Sequence, residues 1–188
     1  MQIICINNYC FALTNMGIWK GPCFLVSIGQ RPSCSGGYMA YSNLLYQQVI
    51  LEHNKNPRNF REMEDSTHNC HGYNPLCGDD YEIYLKVGGA NVIQDLSFTG
   101  AGCAISMAST SLMTSYLKGK KVDESRVVFE EFHKMVLGEF ELENNENHLG
   151  KLTLFQGVRE FPSRIKCASL SWHTMIGALD KNEVLSTE

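Results

Sequence analysis

From Tyr81 to Val87 apolar and polar positions alternate: Tyr81, Ile83, Leu85 and Val87 fall on one side, and Glu82, Tyr84 and Lys86 on the other. A period of two predicts a strand with one face turned to a core. The tetrapeptide "GGAN" supplies turn chemistry, and "VIQDLSF" then predicts the return strand of an antiparallel hairpin. The polar stretch "HNCHGYNP" leaves room for a third strand before Cys77. Elsewhere the period is helical. Ser42 offers an N-cap to a first helix carrying Leu44, Leu45, Val49 and Leu51, which ends by Pro57. Ile105, Ala108, Leu112 and Tyr116 mark one face of a second helix closed by Gly119. A third opens on Asp123 and Glu124 and buries Phe129, Phe132 and Val136. After the polar loop "GEFELENNENHLGK", Leu152, Leu154 and Phe155 suggest a short helix, and a final helix runs from about Ser163 through Ala178.

The chain has 188 residues and 44% hydrophobic content, enough for one core and too little for two large domains. Its 16 basic residues are scattered among 20 acidic ones, so no positive stripe suits a nucleic-acid backbone. Apolar runs such as "CFLVSI" fall well short of the roughly 20 residues that span a bilayer, which argues against a membrane partner. Residues 1–38 read differently from the rest. They carry only Lys20 and Arg31 as charges and hold no sustained period, and the composition changes at Met39. The reading taken is a disordered or non-native extension at 1–38 with Met39 as the natural start and one domain at 39–188. A targeting segment and a structured element are the alternatives. Secretory and transit signals are both weakly matched, because the basic n-region, the continuous apolar run and the arginine richness are missing. The eight cysteines therefore point to a reducing compartment rather than to a disulfide framework.

Cys5, Cys10, Cys23 and Cys34 belong to the extension, while Cys70, Cys77, Cys103 and Cys167 belong to the periodic region. Cys77 enters a predicted strand, and Cys103 and Cys167 lie near helix starts. A thiol at a helix N-terminus meets free N–H groups and the positive dipole end, which favour the thiolate. Asp79 adds an oxygen nearby. Three thiolates and one carboxylate would match tetrahedral zinc, and Arg164, one turn before Cys167, could offset the excess negative charge. Small buried hydrophobes are the competing reading for the same cysteines, since Cys-x-Asp is not a CxxC pair. Cys70 is read as a spectator, with His68 and His71 as a weak accessory pair. His53, His133, His148 and His173 read as surface or packing residues. "GAGCAI" matches two glycines of a dinucleotide fingerprint, but Ile105 replaces the third and another helix follows where a parallel strand is needed.

The ordered segments "CGDDYEIYLKV", "FTGAGCAISMASTSLM" and "REFPSRIKCASLSWHTM" resemble the NifU-like iron-sulfur cluster assembly proteins, and within them the SufU-type branch. The resemblance runs from about Tyr41 to Leu179. Two departures separate it from the IscU branch: Lys166 stands where a histidine precedes the last cysteine, and "EFPSRIK" replaces a proline-rich chaperone motif. The resemblance implies an α+β fold, a small antiparallel sheet of about three strands packed with helices. It implies zinc held by Cys77, Asp79, Cys103 and Cys167, with Arg164 as possible support. It also implies a pyridoxal-phosphate cysteine desulfurase, SufS-like, as partner and downstream iron-sulfur assembly proteins as recipients; the reducing compartment read from the cysteines points to a cytoplasmic setting. In that scheme Cys77 is the catalytic residue, accepting persulfide sulfur. An iron-sulfur cluster scaffold on the same ligands and a structural zinc module are the alternatives.

Overall fold

A computed structural model describes residues 3–6, 9–14, 17–22, 46–140, 142, 146–182 and 184–186. Two compact units divide the chain, Met1–Gly37 and Tyr38–Glu188. In the first, β1 (Ile3–Ile6), β2 (Tyr9–Thr14) and β3 (Gly17–Pro22) form an antiparallel sheet in sequence order. Ser42, Leu44 and Leu45, expected to open the first helix, lie outside the described residues.

The second unit opens with helix α1, described over residues 46–55. Its inner face is Tyr46, Val49, Ile50 and His53, the i, i+3, i+4, i+7 set that a 3.6-residue period brings onto one stripe. Leu51, expected on that face, is 53% exposed. His53 is accommodated because its Nδ1 pairs with Ser111 Oγ at 2.8 Å, and burial, followed by the Arg58 charge, holds its pKa below the ordinary value.

Strands β4 (His68–Asn74), β5 (Asp79–Val87) and β6 (Ile93–Ala101) form the expected antiparallel set. A fourth, β7 (Val184–Ser186), pairs parallel to β4 and completes the order β6-β5-β4-β7. The sheet is therefore four-stranded and mixed, and three residues were too few to show a period. The alternation along β5 holds: Tyr81, Ile83 and Leu85 are fully buried, while Val87 is only partly so.

Helix α2 (Ala104–Leu117) departs from the expected single face. Ser106, Ala108, Ser109, Thr110, Ser111, Leu112, Met113, Thr114 and Leu117 are all buried, whereas Ile105 and Tyr116 are partly so. A helix enclosed on several sides tolerates hydroxyls when they bond back to its own carbonyls, as Thr110 does to Ser106 (2.8 Å) and Thr114 to Ser111 (3.0 Å). Helix α3 (Val122–Leu137) carries Asp123 and Glu124 in its first turn, buries Phe129, Phe132 and Val136, and ends on Gly138 at φ 79°. The expected short helix is a longer 3-10 stretch, Gly150–Glu160, whose buried residues Leu152, Phe155 and Val158 recur every third position, as that geometry requires. Pro162 starts α4 (Pro162–Leu179), where its missing N–H costs nothing.

Helix α4 packs on β4, β5 and α2, with α3 and the 3-10 stretch behind it. Trp172 sits at this junction. It stacks on Phe132 (centroids 4.4 Å apart) and donates from Nε1 to Ser109 Oγ at 3.1 Å. Ser109 Oγ in turn donates to the Ala168 carbonyl at 2.7 Å, joining α2 to α4. No helix among the described residues is long and apolar enough to cross a membrane. Trp172→Ala is expected to lower unfolding stability by about 3–5 kcal/mol, measured as the shift in the urea midpoint.

Candidate metal centre

Register dictates the position of Cys77. Asn74 pairs with Asp79 across β4 and β5, so residues 75–78 form the turn. The Asn74 carbonyl accepts from the N–H of Cys77 (3.3 Å) and of Gly78 (2.9 Å), and its Oδ1 accepts from Leu76 N–H (3.2 Å). Gly78 adopts φ 68°, left-handed backbone that favours glycine. The turn presents Cys77 half-buried beside Leu76, which is 77% exposed.

Asp79 begins β5 on the same face as Tyr81, Ile83 and Leu85, so the period-two rule sends its carboxylate inward, and it is fully buried. Such a charge is costly unless paired. Oδ1 accepts from the backbone N–H of Cys103 at 2.7 Å, but Oδ2 has no hydrogen-bond partner among the described residues. Cys103 caps α2, its sulfur accepting from Ser106 N–H at 3.4 Å, as the helix-start reading anticipates. Cys167 lies in the second turn of α4, near the helix start as expected, but it is fully buried in the core. The inward face of α4 carries it there.

Cys77, Asp79 and Cys167 each offer a ligand atom, and these lie within 4.8 Å of one another. The two sulfurs are 3.0 Å apart, and Asn74 Nδ2 points at Cys167 Sγ from 4.0 Å. Cys103 stands outside that group, tied to it through Asp79. A buried carboxylate with one unpartnered oxygen, grouped with two thiols, is a fitting donor set for a small divalent cation that accepts sulfur and oxygen, such as zinc. Without a cation, burial, and then the contact with Cys77, push the Cys167 thiol well up. The exposed Arg164 guanidinium is held above its ordinary value, first by the Cys167 sulfur and then by Cys103. Burial raises the Tyr81 phenol; a hydrogen bond with Ser106 works against the rise, and Asp79, Cys103 and Cys167 add to it.

The other candidates do not join them. Cys70 is buried in the core, with its thiol pushed up to about 11, first by burial. His68 pairs with Thr67 and His71 with Asp80, so no accessory cluster forms among the described residues. His133 and His173 pack with Phe129 in a groove of about 560 Å³ between α3 and α4 that contains none of the three clustered ligands. Three residues of the centre went unread in the sequence: Asn74, Tyr81 and Ser106. The Asn-Pro step signals a turn but not its bond to sulfur, and the other two read as core and helix positions.

A mixed sheet backed by helices, with thiols and a carboxylate gathered at a strand turn and two helices, defines the class of small α+β proteins with a sulfur-rich centre. The description of the NifU-like N-terminal domain matches residues 45–168, and the chain belongs to that family. The chain is 40% identical over 146 residues to the zinc-dependent sulfurtransferase SufU of Bacillus subtilis, covering 78% of this chain and 97% of that protein. It is 38% identical over 139 residues to the iron-sulfur cluster assembly scaffold protein IscU of Thermotoga maritima, covering 73% and 94%. The crystal structure of a putative iron-sulfur cluster assembly scaffold protein for the SUF system from Fervidobacterium islandicum superposes with a TM-score of 0.67 at 33% identity, covering 73% and 98%.

Gly102 separates Tyr81 and Asp79 from the helix start. A Cβ there would overlap the Tyr81 hydroxyl and lie 2.8 Å from Asp79 Oδ1. Gly102→Ala is expected to cost about 1–3 kcal/mol, measured by urea unfolding.

Proposed function

We propose that this protein serves iron-sulfur cluster assembly as a zinc-dependent sulfurtransferase that accepts persulfide sulfur on Cys77. The carrying observation is the half-buried Cys77 thiol, 3.0 Å from the buried Cys167 sulfur and grouped with an unpartnered Asp79 oxygen. Cys77, Asp79, Cys103 and Cys167 would hold the metal, with Arg164 lending positive charge from the solvent side. Zinc, when bound, keeps its ligand sulfurs deprotonated and shields them from oxidation. The SufU relative lends its name to this reading, and a SufS-like, pyridoxal-phosphate cysteine desulfurase is the partner it implies. Downstream assembly proteins would receive the sulfur. The setting proposed is the cytoplasm, and Met39 is proposed as the start of the working domain.

The transfer balances without an added oxidant. The Cys77 thiolate forms a bond to the terminal sulfur of the donor persulfide, and that sulfur's bond to the donor cysteine breaks. The electron pair leaves with the donor thiolate, and the persulfide oxidation level passes unchanged to Cys77. Asp79 is the harder and weaker of the ligand types, which suits it to loosen while Cys77 is engaged. Leu76, exposed beside Cys77, offers apolar contact to a docking partner.

A second reading, a scaffold on which an iron-sulfur cluster is the cargo, draws on the similarity to the Thermotoga IscU. Metal and acid-labile sulfide analysis of protein purified without oxygen or added metal separates the two. One zinc per chain without visible absorbance supports sulfur transfer. Iron with sulfide and a visible charge-transfer band supports the scaffold. Cys77→Ala is expected to abolish sulfur acceptance and stimulation of a partner desulfurase, read as sulfide release. Stimulation at the unsubstituted rate would overturn the proposed role.

A further inference from the structure

Asp79 Oδ2, the Tyr81 hydroxyl and the Ser106 hydroxyl are buried around the centre, and the two hydroxyls face each other with no other hydrogen-bond partner among the described residues. The proposed metal accounts for the first. Two hydroxyls that face only each other spend one proton between them and leave the other without an acceptor; buried donors are rarely left so, and the pair points to an acceptor that is correctly placed only in another state of the site. Both residues are fully buried. The Tyr81 ring packs edge-on against Phe98, with centroids 5.9 Å apart, a contact phenylalanine would keep. Packing therefore does not explain the oxygen.

Placement narrows the acceptor. The Tyr81 hydroxyl lies against Gly102, the residue before Cys103, and a side chain there would meet that hydroxyl and Asp79 Oδ1 together. Ser106 stands one turn into α2, and its N–H already donates to the Cys103 sulfur. Both residues thus adjoin the Cys103 end of α2 on its buried side, whereas Arg164 is exposed to solvent. Three thiolates and a carboxylate bring four negative charges to a dication, and hydrogen bonds to ligand sulfur relieve that excess and fix its orientation.

We infer that the free proton of the Tyr81–Ser106 hydroxyl pair is donated to the Cys103 sulfur in the metal-loaded protein, making Tyr81 a positioning residue for the ligand that stays while Cys77 is exchanged. This rests on the zinc reading above. The test uses the full chain carrying Cys5→Ser, Cys10→Ser, Cys23→Ser and Cys34→Ser, loaded with cobalt(II) chloride, alone and with Tyr81→Phe or Ser106→Ala. Losing a donor raises the energy of the sulfur electrons, so the thiolate-to-cobalt bands are expected to move to longer wavelength. Cobalt affinity, read by chelator competition, is expected to fall about 10- to 100-fold in Tyr81→Phe. Bands and affinity unchanged in both variants would overturn the inference while leaving the metal centre standing. Absence of thiolate-to-cobalt bands in the Tyr81-bearing protein would overturn the zinc reading, and the inference with it. If circular dichroism shows Tyr81→Phe unfolded, Ser106→Ala decides by the same band shift.

Discussion

The hydrogen bond from Cys103 N–H to Asp79 Oδ1, 2.7 Å long, joins the first residue of β5 to the cap of α2. A carboxylate on the inward face of a strand must find partners or lose its charge. The chain supplies one at the unsatisfied N–H groups where a helix begins. That single bond couples the sheet to the helix and fixes how close Cys103 stands to the β4–β5 turn. It leaves Oδ2 uncommitted, in a carboxylate grouped with the Cys77 and Cys167 sulfurs.

The other half of the frame is the seam between α2 and α4. Small residues allow the approach, and Ser109 bridges it by donating to Ala168 and accepting from Trp172. Ala168 is the neighbour of Cys167, so the seam fixes the sulfur's height above the sheet. Trp172 and Phe132 stack behind it and extend the constraint to α3. The centre is thus assembled from three elements whose relative positions are set by buried contacts away from the ligands.

Much of this was legible. The alternation from Tyr81 to Val87 gave the central strand, and extending the same period back by two residues would have turned Asp79 inward. The caps and stripes of α3 stood out because its two faces differ in polarity. Helix α2 was harder: enclosed on several sides, it buries serines and threonines that a search for an apolar stripe passes over. β7 has three residues and is defined by pairing with β4, which no local pattern records. The place of Cys167 near a helix start is legible, but its burial is not, because that depends on packing against β4, β5 and α2. Asn74 and the Tyr81 hydroxyl belong to the site through contacts across the hairpin and the helix start, and sequence spacing carries neither.

The two sulfurs that meet at 3.0 Å are anchored very differently. Cys167 is embedded in an 18-residue helix under a packed aromatic cluster, while Cys77 rides on a four-residue turn closed by two hydrogen bonds to one carbonyl. Motion at such a turn requires rotating a few backbone angles, whereas motion at the helix requires opening the core. The centre is therefore a clasp with one fixed and one movable jaw, and its opening has a built-in order: the strand-turn side yields first, at the rate of a loop rather than that of unfolding.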